Sequence, residues 1–514
     1  MTASISKIFR YSKTPVVLLA SQQAARFSGN GYGQAVEGYR EGLRKQGLRC
    51  ITVMPLDERE SFNDMGLKRN DVQEDFTLDS QNPFRRAVSR EQDKTSIYVK
   101  AYQDETGPVL MIGKKDPSGR GNVLAEDAYT NTDRLTAREA SAQGGPLFQS
   151  RALSQGFMEY NLALAELAKV LRESDPNTSM IFHGNDHGTA LASSLIAMEQ
   201  LMPVVYGMHN PLYESTITSE QAGKLGINPA FYGRKKTINL NLLAANLANT
   251  VLTVSPSFAQ ELASGSNPLF TDGNNHRNFA EVLSPRMKDG SFLGILNALP
   301  ERFLGRQEPV KYLPGDELRL LWANRPAAEK SFAEFLEALK ILAQDSTLSE
   351  TGLKLKVEVL SGRERELDAL GFGQQMSLLQ RQYAFDLEFS AYSEEAMLKA
   401  IEDPTRTIGV MPSKVEPCGL FAAFLQAQGV PVMVSPAGGL RDIAGDSYAL
   451  TFDSLTPEGM AASIKSLLGT ENLNSDLSRM ADRAFSRTQS LFSPSRLGRE
   501  LEEKVYAPLL REGK

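Results

Sequence analysis

Residues 407–424 read Thr-Ile-Gly-Val-Met-Pro-Ser-Lys-Val-Glu-Pro-Cys-Gly-Leu-Phe-Ala-Ala-Phe. The run Thr407 to Met411 is short, apolar and closed by Pro412, as a buried strand should be, and the segment from Leu420 through Phe424 is helical in composition. Between them lies a loop ending in Gly419. A second junction of the same kind follows: strand Pro431 to Val434, then Ala437-Gly438-Gly439-Leu440, then a helix beginning near Asp442. Strand, glycine turn and helix in succession predict a parallel sheet flanked by helices. The free N–H groups at such helix starts can hold a phosphate. A single junction of this type usually serves chain geometry alone, but two in one domain suggest a nucleotide-linked ligand.

Working outward, the same alternation covers most of the chain. In the second half, strand-like runs occur at Leu318 to Trp322, Leu355 to Leu360 and Tyr383 to Phe389, ahead of the two just described. In the first half they occur at Val16 to Ala20, Cys50 to Met54, Met180 to Phe182, Pro203 to Tyr206 and Val251 to Val254, with a helical stretch around Leu162 to Leu171. Gly29, Gly31 and Gly33 form a glycine-rich turn after the first strand, ahead of an amphipathic segment ending near Lys45. Residues 57–149 are polar and read as an irregular insert of loops with a small subdomain. The expected organisation is an α/β chain of two doubly wound domains: residues 1–298, a Pro, Gly and charge-rich linker at 299–315, a second domain at 316–490, and a terminal helix at 491–514. The carboxyl ends of both sheets, where ligands bind in open α/β folds, would line a shared cleft.

Composition narrows the function. The 514 residues are 41% hydrophobic and 23% charged, as in soluble globular proteins, and the formal net charge of −6 argues against nucleic acid as a partner. Cys50 and Cys418 are too few for a disulfide framework, and the apolar run at Val16 to Ala20 is too short for a membrane span or signal-peptide core. A cytoplasmic protein is expected. Three of the four histidines, His183, His187 and His209, lie within Ile181 to Asn210. The i, i+4 spacing of His183 and His187 fits a helical metal pair, but Gly184 and Gly188 interrupt it and no third ligand is near, so no metal is expected.

Pro412 to Leu420, together with Pro431 to Val434 and Gly438-Gly439-Leu440-Arg441-Asp442, closely resembles the donor-site signature of bacterial glycogen synthases and plant starch synthases. That resemblance implies the GT-B arrangement of two Rossmann-like domains facing a central cleft, and transfer of glucose from a nucleotide sugar to a growing α-1,4-glucan. It extends to other segments. Arg325 and Lys330 match the family's Arg and Lys that grip the donor diphosphate, and a guanidinium fork beside an ammonium is the right chemistry for a leaving diphosphate. Glu416 matches a carboxylate that orients the sugar, while Cys418, Gly419, Leu420, Gly438 and Gly439 line the donor. His183-Gly184-Asn185-Asp186-His187 resembles the acceptor-side His-x-x-Asp-Trp segment, with His187 in place of Trp, and Thr189-Ala190 continues it. His209-Asn210 resembles Val-His-Asn, whose histidine sits by the transferred sugar. Val254-Ser255-Pro256-Ser257, Gly294 to Asn297 and Phe492-Ser493 also have counterparts, with Asn297 a candidate partner for a sugar hydroxyl.

Two departures matter. The family's Lys-x-Gly-Gly-Leu reads Ser28-Gly29-Asn30-Gly31-Tyr32-Gly33 here, so a cation near the phosphates is replaced by Ser28; the amides of Gly31 and Gly33 can still approach a diphosphate, and Arg26, two residues earlier, is a candidate substitute for the lysine. Phe424, eight residues after Glu416, stands where many related retaining enzymes carry a second glutamate, and starch-type synthases have an aromatic residue there. The leading expectation is a retaining glucosyltransferase with catalytic residues Arg325, Lys330, Glu416, His209 and Asp186, no cofactor and no metal. A same-face displacement, with the leaving phosphate taking the acceptor proton, suits these residues better than a covalent intermediate. Two readings stay open beside it: the same donor chemistry on a protein, lipid or metabolite, and a catalytically weak glucan-binding or regulatory protein. No lysine has a context suited to pyridoxal phosphate, which sets the chain apart from glycogen phosphorylase. Donor base and oligomeric state are not fixed by the sequence.

Overall fold

The computed structural model describes residues 14–22, 31–56, 68–75, 97–104, 106–114, 149–153, 155–231, 233, 235–267, 270, 278–304, 317–324, 326–345, 354–361, 371–383, 386–391, 393–401 and 407–512. Its first nine strands are β1 (Val16–Ala20), β2 (Arg49–Pro55), β3 (Lys68–Asp75), β4 (Ile97–Asp104), β5 (Gly107–Lys114), β6 (Gln149–Ala152), β7 (Met180–Asn185), β8 (Val204–Met208) and β9 (Tyr213–Thr218). Then come β10 (Thr237–Asn239), β11 (Thr250–Thr253), β12 (Phe292–Gly294), β13 (Glu317–Ala323), β14 (Lys354–Ser361), β15 (Asp386–Ala391), β16 (Thr407–Met411), β17 (Val432–Val434) and β18 (Leu450–Thr451).

Among the described residues these strands form three sheets. The first has the order β12-β11-β8-β7-β1-β2-β5-β4-β3, the second β15-β14-β13-β16-β17-β18, and a small one β10-β9-β6. In the first large sheet the order reverses between β1 and β7; in the second it reverses between β13 and β16. Those are the points where neighbouring connections leave on opposite sides and open a crevice beyond the carboxyl ends of the strands.

The second large sheet is parallel throughout. The first is not, which corrects the expectation of a purely parallel sheet there. From β12 to β5 all pairings are parallel, but β5 with β4 and β4 with β3 are antiparallel. The segment 57–149, read from sequence as irregular, supplies β3, β4 and β5 and so extends the sheet. One strand of the second half is also displaced: helix Phe372–Tyr383 ends where a strand was expected to start, and β15 begins at Asp386.

Each sheet is packed on both faces. Val16, Leu18, Ile51, Phe182 and Val204 bury one face of the first sheet, and Val17, Leu19, Ile181, Val205 and Leu252 bury the other. Leu318, Leu320 and Trp322 point to one face of the second, Leu321 and Ala323 to the opposite one, the alternation a strand imposes. Each such side chain contributes roughly 1.5–3 kcal/mol on leaving water. Trp322, the chain's one tryptophan, is wholly buried with its ring 4.3 Å from that of Phe332.

Helix Gly31–Lys45 passes close to the end of the chain. A Cβ on Gly42 would stand 2.6 Å from the Pro494 carbonyl, and one on Gly498 would stand 2.1 Å from the Gly42 carbonyl, so the two helices meet backbone to backbone. Helix Pro494–Leu501 starts on an N-cap, Ser493, which accepts from the Arg496 amide. It continues through a π-helical turn, Glu502–Tyr506, whose Tyr506 hydroxyl reaches Nδ1 of His183 on β7 at 2.7 Å. No helix among the described residues is long and apolar enough to cross a membrane.

Candidate active site

In the second half, the loops leaving β13 and β16 at the reversal point are bonded to each other. The chain after β13 makes a short 3₁₀ turn, Ala328–Lys330, closed by Ser331 in the left-handed region at φ 53°. The Glu329 carbonyl accepts from the Lys414 amide at 2.8 Å and from the Val415 amide at 3.4 Å. This sets the Lys330 Nζ 2.6 Å from Oε2 of Glu416 and 3.4 Å from the Val415 carbonyl; the Ser413 hydroxyl also reaches Oε2, at 3.4 Å. Both side chains are largely buried, at 9% and 13% exposure, and within that burial each is the other's counter-charge.

The glycine turn after β17 lies directly on this loop. The Gly439 amide donates to the Glu416 carbonyl at 2.9 Å. Gly438 has φ 45°, and a Cβ there would stand 2.3 Å from the same carbonyl, so the approach is open only to glycine. Gly419, at φ 84°, precedes helix Leu420–Ala427, with Leu420 as its first residue. Cys418 is buried, and burial pushes its thiol well above the ordinary range.

In the first half, Asp186 follows β7 with φ 62° and ψ −179°, unusual for a residue other than glycine. The strain aims its buried carboxylate at the loop after β8: Oδ1 accepts from the amides of His209 and Asn210, both at 3.2 Å. Burial raises the carboxyl to about 7, although the amides of Asn210, His209 and His187 oppose the shift. Burial also lowers His209 and His183 to about 3, so both rings are neutral. His209 Nε2 lies 2.9 Å from Oδ1 of Asn185, and its ring meets that of Tyr32 in a T-shaped contact, 4.9 Å between centroids.

His183 and His187 do not form the helical pair their spacing allows. His183 is on β7 and His187 opens a 3₁₀ turn; both are buried rather than lying on a polar loop. Among the described residues no group of three or more His, Cys, Asp and Glu is gathered as for a metal ion.

Gly31 and Gly33 stand in the first turn of helix Gly31–Lys45. Tyr32, between them, donates to the Asn185 carbonyl at 3.2 Å and accepts from Ser21 Oγ at 2.9 Å. Asn297 follows β12, is buried, and leaves its Oδ1 without a partner. The structure thus gathers Lys330, Glu416, Gly438 and Gly439 into one bonded set and Asp186 and His209 into another, with Gly31 and Gly33 beside the second. Arg325, Arg26 and Ser28 lie outside the described residues.

Contacts across the two halves join these sets. Ser255 Oγ donates to the Pro417 carbonyl at 2.6 Å, and the Ser257 amide and hydroxyl donate to Asp442 at 3.0 and 2.8 Å. The Asn297 backbone meets the Cys418 thiol. Beneath Asn297, Arg496 of the terminal helix donates to its carbonyl at 3.3 Å and to that of Leu296. Sequence reading passed over Asn185, Tyr32 and Arg496. Asn185 lay inside a quoted motif, as a polar residue ending a buried strand; Arg496 had no local signal at all.

Two α/β halves joined across their strand ends, each carrying charged or polar groups there, have the GT-B glycosyltransferase arrangement. The starch synthase catalytic domain model matches residues 16–275, and the chain belongs to that family.

Among curated relatives, the glycogen synthase of Deinococcus deserti is 27% identical over 371 residues, 68% of this chain and 77% of that protein. The enzyme of Halorhodospira halophila is 28% identical over 55% of this chain and 62% of its own length, and that of Thermus thermophilus 29% over 53% and 60%. The chain therefore spans less than two thirds of the length of those last two. Among solved structures, the catalytic domain of starch synthase IV from Arabidopsis thaliana bound to ADP and acarbose superposes with TM-score 0.70 at 17% identity, covering 97% of this chain and 100% of that one. Sucrose-phosphate synthase from Thermosynechococcus elongatus gives 0.55 at 13% identity over the same shares. These two likenesses are of fold.

Proposed function

We propose that the protein is a retaining glucosyltransferase that moves glucose from ADP- or UDP-glucose to an α-1,4-glucan in the cytoplasm. The observation that carries the reading is the buried Lys330–Glu416 pair at the reversal point of the second sheet. An ammonium held there by a carboxylate is preorganised for a diphosphate, so little reorganisation is needed as charge develops on the leaving group. Lys330, Arg325 and the backbone N–H groups about Gly419 and Gly438 receive the diphosphate, and Glu416 turns toward hydroxyls of the donor sugar. His209 and Asp186 face the transferred sugar and the acceptor from the first half. The leaving phosphate takes the acceptor proton on the face it vacates, giving retention, and fixed cations do the work that a metal does in other transferases. The two halves must close to exclude water, because hydrolysis of the donor competes.

The ligands of the Arabidopsis structure, ADP and acarbose, support a nucleoside diphosphate and a glucan-like chain as ligand classes here too. The test is a panel of nucleotide sugars incubated with the purified protein, with and without glycogen, following nucleoside diphosphate release. Release from ADP- or UDP-glucose stimulated by glycogen is expected. Donor hydrolysis indifferent to glucan would assign another acceptor, and no nucleotide binding would end both enzyme readings.

A further inference from the structure

We propose that Asn185 is a positioning residue that holds His209 as its Nε2–H tautomer, leaving Nδ1 as a fixed acceptor for a sugar hydroxyl hydrogen. The orientation of the Asn185 amide follows from its surroundings. Its Nδ2 lies 3.0 Å from the Ala20 carbonyl and 3.3 Å from that of His183, so both neighbours are acceptors and the amide nitrogen must face them. Turned over, the side chain would set its oxygen against two carbonyl oxygens in a site where Asn185 is wholly buried. The oxygen is therefore what remains for His209, 2.9 Å from Nε2, and an oxygen can only accept. The proton is on Nε2.

The ring's Nδ1 has no partner among the described residues, and His209 keeps a little exposure, at 6%. Tyr32 packs against the ring in a T-shaped contact, and the backbone of His209 is tied to Asp186. Gly207 makes the arrangement possible, because a Cβ there would stand 3.0 Å from Asn185 Oδ1 and 3.3 Å from His183 Nε2. The neutral state imposed on His209 by burial agrees with an acceptor that is never protonated in use. His209 then serves by orienting a hydroxyl and not by giving up a proton from Nδ1.

The use of that acceptor rests on the glucosyltransferase reading, but the tautomer does not, and the experiment separates them. With four histidines in the chain, ¹⁵N-histidine labelling and single His-to-Gln variants assign each ring by NMR. In the unmodified protein, His209 should show a protonated Nε2 and a bare, pyridine-type Nδ1. Asn185→Ala should convert it to a mixture of tautomers and lower kcat/KM for the donor about tenfold, the effect of one hydrogen bond. An Nδ1–H tautomer in the unmodified protein overturns the proposal, and so does a tautomer that Asn185→Ala leaves unchanged. The correct tautomer with no donor turnover upholds the Asn185 assignment and overturns the enzyme reading alone.

Discussion

The Nζ of Lys330 lies 2.6 Å from Oε2 of Glu416, and the pair ties together the loops that leave β13 and β16, neighbouring strands on which the order of the second sheet reverses. Their backbones are joined as well, through the Glu329 carbonyl and the Lys414 and Val415 amides. A cation and a carboxylate are thus presented as one unit at the sheet's carboxyl edge.

Removing either partner strands the other in a mostly buried place. Lys330→Ala and Glu416→Ala should each abolish turnover and cost on the order of 1–3 kcal/mol of stability, while the double variant should cost less than their sum. Chemical denaturation of the four proteins measures the coupling. Full activity in either single variant would mean that the site lies elsewhere.

Acid stability should carry two opposed signatures. His183 and His209 sit at about 3 when folded against an ordinary 6.5, so the unfolded chain takes up those protons first and stability falls as pH drops from 6.5 toward 3. Asp186 works the other way: at about 7 folded against 3.8, its contribution is full below 3.8 and is lost as pH rises through 7. Two groups outweigh one, and the protein should lose stability on acidification below 6.5. Asp186→Asn keeps an oxygen for the His209 and Asn210 amides but removes the opposing proton, so the acid decline should steepen. Thermal unfolding across that range checks it; identical slopes for both proteins would contradict the assignment.

Gly438→Ala should disable the site through the backbone. It forces an L side chain into φ 45° and onto the Glu416 carbonyl, 2.3 Å away. A cost of about 2 kcal/mol is expected from strain of this kind, with turnover lost along with the loop geometry. Unfolding and donor turnover measured on one preparation separate the two effects.

The meeting of the helices at Gly42 and Gly498 gives a test remote from the chemistry. Gly498→Ala sets a Cβ 2.1 Å from a backbone oxygen that has nowhere to move, and about 3 kcal/mol should be lost. Gly223, on helix Ser219–Lys224 with open space around its Cβ position, is the control: alanine there should leave stability unchanged or raise it by up to about 1 kcal/mol.

The elements legible in the sequence were those whose own residues decide them. β1 and β16 lie where their apolar runs placed them, Val16–Ala20 and Thr407–Met411, because a short buried strand between turn residues leaves little choice of bounds. β3 was illegible for the opposite reason: Lys-Arg-Asn-Asp-Val-Gln-Glu-Asp carries no apolar alternation, and charge suits the edge position it takes. In the site, Lys330, Glu416, Asp186 and His209 stood in short motifs whose chemistry is local. Asn185 and Arg496 act through partners far along the chain, His209 at a separation of 24 residues and Asn297 at 199, and no spacing rule spans that distance.

The most direct measurement is nucleoside diphosphate release from ADP- and UDP-glucose before and after adding glycogen, made side by side on the unmodified protein and Lys330→Ala. Glycogen-stimulated release by the first and none by the second, with both proteins folded, is the expected result. Equal release by the two proteins, or no release by either with either donor, would contradict a sugar-nucleotide site built on Lys330 and Glu416.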